Sequence, residues 1–333
     1  MKTKWFLFFL IIFTLSFILY SFFSFDKEVH FKVGILMAGE ERNEKYNGLK
    51  SGLEDLGYDL NQFDFIVKSA DNTISLEKKI KELLETDLNL IVTLGGIETT
   101  ELKREMERRG ENVPVVFAGV AAPMEMGIIN DYQKPGGNFT GINNYHTSLS
   151  GKRLELLCEL IPSIERVLIF YDPDVVVSKL SLQKIEEAAD VLSITLKLFD
   201  ITNPNYKKEI ENTTRENDAI LILPSFRIES LTGEITALSY NYHIPVMGIY
   251  ENEVKAGYTA SYGTSFFEQG YQSARFVSSV LQGNSPSQIP IELPDTVRFL
   301  INREVVEDLN ISIDANLINI AEFINQVERD EKK

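Results

Sequence analysis

Two series of apolar strand patterns and helical patterns flank a segment rich in proline and glycine, residues 114–144. This segment begins with an apolar run at residues 114–120, turns at Pro123, and passes through a Pro-Gly-Gly-Asn sequence at residues 135–138. A short second strand pattern follows at residues 139–142. A hinge between two α/β halves creates a cleft that opens and closes, and such a cleft is suited to ligand capture.

Strand and helix patterns alternate on both sides of this hinge. Predicted strands lie at residues 32–37, 64–68, 89–94, 113–120, 139–142, 166–171, 195–199, 219–223, 245–249, 258–262 and 297–301. Predicted helices lie at residues 45–56, 76–84, 99–109, 150–160, 180–191, 206–216, 230–240, 266–281 and 317–327. Apolar strands separated by helices form parallel sheets covered on both faces. The pattern therefore predicts an α/β fold, and we expect Ser75 to cap its second helix.

The length and the charge of the chain limit the folds and functions that it can have. The 333 residues are too many for one ordinary compact domain and fit two lobes. A formal net charge of -16 argues against nucleic-acid binding, which needs clustered Lys and Arg. The single cysteine, Cys158, excludes an internal disulfide, and its place on the apolar face of a helix pattern predicts a buried core thiol.

The first 25 residues predict an N-terminal transmembrane anchor or a signal segment. Lys2 and Lys4 precede an apolar run at residues 5–25, which is about the ~20 residues that a membrane-spanning helix needs. The run ends without a small-x-small cleavage pair, so we expect an uncleaved anchor rather than a cleaved signal peptide. The positive flank places the rest of the chain on the extracytoplasmic side of the membrane; after cleavage it would be secreted or periplasmic.

Ligands of open parallel sheets bind beyond the carboxyl ends of the strands. This rule selects the loops at residues 38–43, 95–99, 121–124, 172–178, 225–229 and 250–253. In the second of these loops, Gly95 and Gly96 allow the backbone to approach a ligand, and the following helix start favours an anion such as a carboxylate. An ordinary strand-to-helix turn explains the same residues equally well.

Aromatic residues at strand ends suggest an apolar or planar ligand, because rings there stack on such groups, although each ring also fits a core position. The predicted ligand-binding residues from the loops and strand ends are Gly39, Glu40, Gly95, Gly96, Ile97, Thr99, Ala122, Asn144, Tyr145, Tyr171, Ser178, Phe226, Tyr250 and Tyr262.

No enzyme, metal or cofactor motif is present in the sequence. There is no HExxH, no GxSxG, no phosphate loop and no dinucleotide fingerprint. We therefore expect no catalytic residue, no metal ion and no cofactor. Of the three histidines, only His146, which lies just past the hinge, is placed to face a cleft, but an ordinary surface histidine is the preferred interpretation. Glu40, Glu41 and Glu44 fit a solvated helix start better than an acidic site.

Residues 113–142, VPVVFAGVAAPMEMGIINDYQKPGGNFTGI, resemble the hinge segment of the ABC transporter substrate-binding family that includes tryptophan- and tyrosine-uptake proteins. Further matching motifs are NGLKSGL at residues 47–53, NLIVTLG at residues 89–95, IPV at residues 244–246 and YGTSFFEQG at residues 262–270. The resemblance extends from about residue 31 to residue 315.

The resemblance implies a type I periplasmic-binding fold, a clamshell of two Rossmann-like lobes joined by three crossovers. It places the first lobe at residues 31–122 and 258–283, and the second at residues 123–257 and 284–327. It also implies an importer component that binds a small organic molecule, such as an amino acid or an aromatic or otherwise apolar compound. Such a component acts as a monomer and serves separate ABC permease and ATPase subunits. A membrane-anchored ligand sensor that regulates a signalling partner is the alternative.

Three departures from the family pattern concern the ligand. Ala122 and Phe226 stand where relatives commonly have Asp, and Val177 stands where they often have Asn. Because a ligand ammonium needs carboxylates or carbonyls to offset its desolvation, these departures argue against a free amino acid. We expect instead a more apolar or aromatic ligand, or one that lacks an ammonium.

Overall fold

Two β-sheets organise the chain, and helices cover both of them. The structure is a computed structural model that describes residues 30–215, 217–313 and 315–325. The predicted anchor at residues 1–25 lies outside this part of the chain. Within the described ranges, no helix has the length and apolar character needed to cross a membrane.

The first sheet has five strands, all parallel, in the order β2-β1-β3-β4-β5. Its strands are β1 (Phe31–Ala38), β2 (Phe63–Ala70), β3 (Leu90–Thr93), β4 (Val115–Val120) and β5 (Phe139–Asn143). The helices that connect them are α1 (Asn43–Asp55), α2 (Thr73–Leu84) and α3 (Gly96–Arg109). Ile35 and Val92 pack on one face of the sheet, whereas Leu36 and Ile91 pack on the other. Burial on both faces explains why these strands are apolar throughout.

The second sheet has seven strands in the order β12-β11-β10-β9-β8-β6-β7. Its strands are β6 (Arg166–Tyr171), β7 (Thr195–Asp200), β8 (Asp218–Ile222), β9 (Val246–Gly248), β10 (Ala260–Gly263), β11 (Arg298–Asn302) and β12 (Glu322–Ile324). The accompanying helices are α4 (Ser150–Leu160), α5 (Val176–Leu192), α6 (Tyr206–Thr213), α7 (Phe226–Glu229), α8 (Thr232–Tyr242), α9 (Glu251–Lys255), α10 (Phe266–Leu281), α11 (Arg303–Asp308) and α12 (Ala315–Ile318). The pairing of β10 with β11 is antiparallel, and every other pairing is parallel.

Helix α10 follows the second sheet's β10 in the chain but packs against α1 of the first lobe. The two helices approach so closely that a Cβ added to Gly270 would lie 1.8 Å from the Lys45 carbonyl oxygen. A Cβ on Gly48 would lie 2.0 Å from the Phe267 carbonyl oxygen. Glycine at these positions therefore permits contact between the helix backbones.

Strand pairing corrects the predicted lobe boundaries. Strand β5 pairs with β4 of the first sheet, and β10 pairs with β9 of the second, opposite to the predicted assignments. Residues 284–292 also lie along the first lobe, because Glu292 N–H donates to the Gly141 carbonyl oxygen at 3.2 Å. The chain therefore crosses between lobes three times, at residues 144–149, 264–265 and 293–297.

Three local predictions also need correction. The N-cap of α2 is Asn72, and Ser75 is its capping-box partner, since each side chain accepts from the other residue's backbone N–H. The helix predicted at residues 230–240 is α8, which begins and ends two residues later, and the short helix α7 precedes it. The described part of the predicted terminal helix is a short helix, α12, followed by the strand β12.

Candidate functional site

A cavity of about 400 Å³ lies between the lobes, at the carboxyl ends of strands from both sheets. The first lobe contributes Arg42, Lys45, Thr73, Gly95, Gly96, Ile97, Thr100, Glu101, Gly119, Ala121 and Met126. Asn144 and His146 come from the first crossover, and the second lobe adds Asp172, Asp174, Val175, Val176, Val177, Pro224, Ser225, Phe226, Arg227, Glu229 and Tyr250. This position agrees with the rule for ligand sites of open α/β sheets.

The structure brings six of the fourteen predicted residues together around the cavity. They are Gly95, Gly96, Ile97, Asn144, Phe226 and Tyr250. Phe226 belongs to the short helix α7, whose N-cap Ser225 accepts from Arg227 N–H. Gly96 and Ile97 open α3, so their N–H groups have no acceptor within the helix.

The other eight predicted residues do not line the cavity, and five of these lie in the first lobe and its crossover. The Thr99 hydroxyl is buried and bonds to Thr93 at 2.7 Å and to the Gly95 carbonyl oxygen at 2.6 Å. Gly39 N–H donates to Ala70, and Glu40 is an exposed acceptor for Asn43. Ala122 packs with Ala121 and Val177, and Tyr145 is 38% exposed.

The remaining three stabilise the second lobe. Tyr171 and Tyr262 pack against the core under the second sheet, with the Tyr262 ring 6.3 Å from that of Phe299. The buried Ser178 hydroxyl accepts from Asp172 N–H at 2.9 Å and thereby fixes the loop after β6. Ser178 and Thr99 therefore show that a buried hydroxyl next to a predicted site can be engaged in hydrogen bonds to neighbouring protein groups.

Arg42 joins the two lobes across the cavity and was missed by the sequence analysis. Its Nη2 donates to Glu229 Oε2 at 2.8 Å, and its Nε lies 3.7 Å from Glu98 Oε1. Burial opposes the charged form of Arg42, but the charges of Glu229 and Glu98 outweigh it and raise the pKa. The guanidinium also lies 5.0 Å from the centroid of the Phe266 ring.

Lys45 is a second buried cation at the cavity. Its Nζ donates to the Ala118 carbonyl oxygen and to Gln269 Oε1, both at 2.8 Å. Burial and the nearby charge of Arg42 lower its pKa well below the ordinary value. Gly119 leaves room for this contact, since a Cβ there would lie 1.8 Å from Gln269 Oε1.

His146 is buried, which corrects its interpretation as a surface histidine. Its Nδ1 lies 3.0 Å from Arg153 Nη2, and its ring meets the Tyr250 ring edge to face at 4.9 Å. Burial and the charge of Arg153 lower the His146 pKa well below the ordinary value. Among the described residues, its Nε2 has no hydrogen-bond partner.

The carboxylates at the cavity already have partners. Asp172 accepts from Ser225 Oγ at 2.8 Å and from Arg227 Nη1 at 3.1 Å. Asp174 also pairs with Arg227, and Glu229 pairs with Arg42. The fourth lining carboxylate, Glu101, forms an ion pair with Arg104.

The arrangement can therefore bind acceptor atoms of a ligand more readily than a cation. Free donors at the cavity include His146 Nε2 and the first N–H groups of α3, whereas the lining carboxylates are occupied. Within the part of the chain that the structure describes, no group of three or more His, Cys, Asp or Glu side chains is arranged to hold a metal ion. The sequence analysis missed Arg42 and Lys45 because charged residues after a strand usually signal an exposed helix start.

The family described as ABC transporter substrate binding protein matches residues 31–324. A tyrosine-binding protein of Clostridioides difficile is 23% identical over 290 residues, which cover 86% of this chain and 82% of that protein. A Streptococcus pneumoniae domain solved in complex with L-Trp has a TM-score of 0.81 at 21% identity, covering 89% of this chain and 100% of the other. A ligand-free, open substrate-binding protein from Clostridium difficile has a TM-score of 0.68 at 20% identity, covering 89% and 99%. These similarities confirm the predicted two-lobe α/β fold.

Proposed function

The chain belongs to the ABC transporter substrate-binding protein family, and from this membership we propose that it captures a small organic ligand in the cavity between its lobes and delivers it to an ABC importer. Residues from both lobes line the cavity, so a bound ligand would hold the lobes together. The role is binding and delivery, with no reaction at the site.

The pairing of charges around the cavity carries the proposal about ligand chemistry. Every lining carboxylate has a cationic partner. His146 Nε2 has no hydrogen-bond partner on the described residues, and the N–H groups of Gly96 and Ile97 have no acceptor within α3. A carboxylate or carbonyl oxygen satisfies such donors, and a helix start favours an anion. An ammonium would have to compete with Arg227 for Asp172. These contacts support a ligand that carries acceptor oxygens and lacks an ammonium.

Apolar and aromatic side chains would hold the rest of the ligand. Phe226 and Tyr250 line the cavity from the second lobe, and Ala121 and Met126 line it from the first. Rings at such positions stack on planar groups and exclude water. We therefore propose an apolar or aromatic organic acid as the ligand class.

Aromatic amino acids are the competing class, since one relative is a tyrosine-binding protein and one neighbour was solved with L-Trp. Asp172 would have to bind the ammonium in that case. The side chain of its partner Arg227 is 50% exposed. An ammonium of the ligand would therefore displace a guanidinium that is already partly in contact with solvent.

Thermal-shift measurements on matched ligand pairs separate these two classes. Tyrosine is compared with 3-(4-hydroxyphenyl)propanoate, and tryptophan with 3-indolepropanoate, which differ only in the amino group. We expect the deaminated acids to stabilise the protein more, with about 2.7 kcal/mol at a hundredfold excess over the dissociation constant. Stronger stabilisation by tyrosine or tryptophan would overturn the proposed ligand class and leave the solute-binding role intact.

We further propose that the protein acts as a monomer on the extracytoplasmic face of the membrane, where permease and ATPase subunits complete the importer. The apolar run at residues 5–25 is its proposed anchor. Mass spectrometry of the protein from membrane fractions tests the anchor, because a mature chain that begins after residue 20 shows cleavage instead.

A further inference from the structure

His146 occupies the point where the cavity meets the first crossover between the lobes. Its side chain is fully buried, and the residue lines the cavity. The ring is fixed on one side by Arg153 and packs edge to face against Tyr250. Its Nε2 is buried without a hydrogen-bond partner among the described residues. A buried donor without a partner costs free energy, so its place beside a ligand cavity calls for an explanation.

Resting on the proposed function, we propose that His146 is a specificity-determining ligand contact, whose Nε2–H donates to an acceptor oxygen of the bound ligand. The contact would select ligands with a carboxylate or carbonyl oxygen at the crossover end of the cavity. It would also reject ligands that present a donor there, because two facing donors leave both unsatisfied.

Arg153 determines which ring nitrogen of His146 carries the hydrogen. A guanidinium only donates, so Nδ1 must accept at the 3.0 Å contact with Arg153 Nη2. A neutral imidazole that accepts at Nδ1 carries its hydrogen at Nε2. The same guanidinium donates from Nη1 to the His146 carbonyl oxygen at 2.8 Å and from Nε to that of Tyr262 at 2.7 Å. These bonds hold Arg153, and through it the imidazole, in one orientation.

Arg153 also links the ligand contact to the hinge. His146 lies in the first crossover, and Tyr262 lies in β10 just before the second. Arg153 is thus a positioning residue that joins both crossovers and has no carboxylate among its hydrogen-bond partners on the described residues. Arg153 therefore orients His146 Nε2 for ligand contact and also holds the two crossovers together.

Nitrogen-15 NMR of the histidine rings of the protein gives the first test. We expect His146 to be neutral with its hydrogen at Nε2, and we expect its Nε2–H signal to move downfield when 3-indolepropanoate binds. The exposed His243 serves as the internal reference. A hydrogen at Nδ1, a charged ring at neutral pH, or an Nε2–H signal that does not move on binding would overturn the proposal.

The NMR experiment also decides the case in which no probe binds, which would contradict the proposed ligand class. An Nε2–H that points into the open cavity exchanges rapidly with water and supports the proposal. An Nε2–H that donates to the Tyr250 ring is shifted upfield and protected from exchange, and this result would overturn it.

Matched variants provide the second test, by calorimetric titration with 3-indolepropanoate. His146→Phe keeps an aromatic ring but removes the donor, and we expect an affinity loss of about 10-fold or more. His146→Gln restores a donor at a similar distance and should bind within about 3-fold of the unmodified protein. His243→Gln is the surface control and should bind unchanged. Equal affinity of the Phe and Gln variants, with both folded, would show that His146 has only a structural role.

Discussion

Three buried basic side chains lie at the ligand cavity or next to its lining residues, and each is stabilised by a different kind of partner. Arg42 pairs with carboxylates, Lys45 donates to a carbonyl and an amide oxygen, and Arg153 donates to carbonyl oxygens and an imidazole. Burial of a charge costs several kcal/mol unless hydrogen bonds compensate for it. For Arg153, which has no carboxylate partner on the described residues, burial lowers the pKa to about 10. Side chains kept at such a cost are typical of a functional site.

Glu253 is a buried acid close to this cluster, and its titration yields a pH prediction. Its Oε2 accepts from Ile249 N–H at 2.6 Å and from Tyr250 N–H at 2.9 Å. Burial raises its pKa from 4.5 to about 7, with Glu229 raising it and Arg153 lowering it by smaller amounts. The folded protein therefore keeps a proton on Glu253 that the unfolded chain releases above pH 4.5. This contribution to stability is complete below the unfolded pKa and is lost as the pH rises through about 7.

We expect Glu253→Gln to remove this pH dependence. The difference in unfolding free energy between the unmodified protein and the variant should fall by roughly 2–3 kcal/mol from about pH 5 to about pH 8. Urea denaturation at several pH values measures it. His146, whose pKa is lowered, stabilises with the opposite pH dependence, but it is present in both proteins and cancels in the difference. Parallel stability curves for the two proteins would disprove the raised pKa.

At the scale of elements, the contact between α1 and α10 positions the cavity. Helix α1 carries Lys45, and α10 carries its hydrogen-bond partner Gln269. The glycines Gly48, Gly52 and Gly270 allow the two helix backbones to touch. Helix α10 thus returns the chain to the first lobe after β10 and fixes a cationic side chain of the site.

Gly270→Ala should disrupt this contact. The added Cβ would lie 1.8 Å from a backbone oxygen of α1, so the helices must separate. We expect a loss of at least about 2 kcal/mol in unfolding free energy, measured by urea denaturation. The control is Gly233→Ala in α8, where a Cβ meets nothing within 4 Å. That substitution should be neutral or should stabilise by up to about 1 kcal/mol. Equal effects of the two substitutions would contradict the close approach.

Sequence periodicity predicted most elements, because a strand that is buried on both faces must be apolar at every position. Helices α4 and α10 and strand β6 agree with the predicted bounds at every residue. Periodicity does not encode which sheet a strand joins, so β5 and β10 were assigned to the wrong lobes. The short edge strand β12 resembled a helix because its apolar residues are too few to define a period.

The candidate site was predictable where it follows from backbone topology. Gly95, Gly96 and Tyr250 were found because strand ends meet at one edge of a sheet. Arg42 and Lys45 were missed, since their burial depends on α10 and Glu229, which lie more than 180 residues away in the chain. Only tertiary structure brings those partners together.

On the scale of the whole molecule, the ion pair of Arg42 and Glu229 connects the lobes across the cavity. Arg42 follows β1 of the first lobe, and Glu229 ends α7 of the second, with the Glu229 side chain 18% exposed. The pair is therefore present only when the lobes approach each other. Other connections between the lobes are the packing of Val177 on Ala121 and Ala122 and the three crossovers, which permit hinge motion. We infer that this ion pair favours the closed arrangement before any ligand binds.

Glu229→Gln should shift the ligand-free protein toward an open arrangement. The substitution leaves Arg42 buried with only the more distant Glu98, at 3.7 Å, as an anionic partner. Breaking a partly buried ion pair costs about 1–3 kcal/mol, which corresponds to a shift of roughly 5- to 150-fold in the ratio of closed to open molecules. Small-angle X-ray scattering of the ligand-free protein should show a larger radius of gyration for this variant. Glu187→Gln removes an exposed ion pair within one lobe, with Lys184, and should leave the scattering unchanged. Identical scattering from the Glu229→Gln variant and the unmodified protein would show that this ion pair does not set the lobe arrangement.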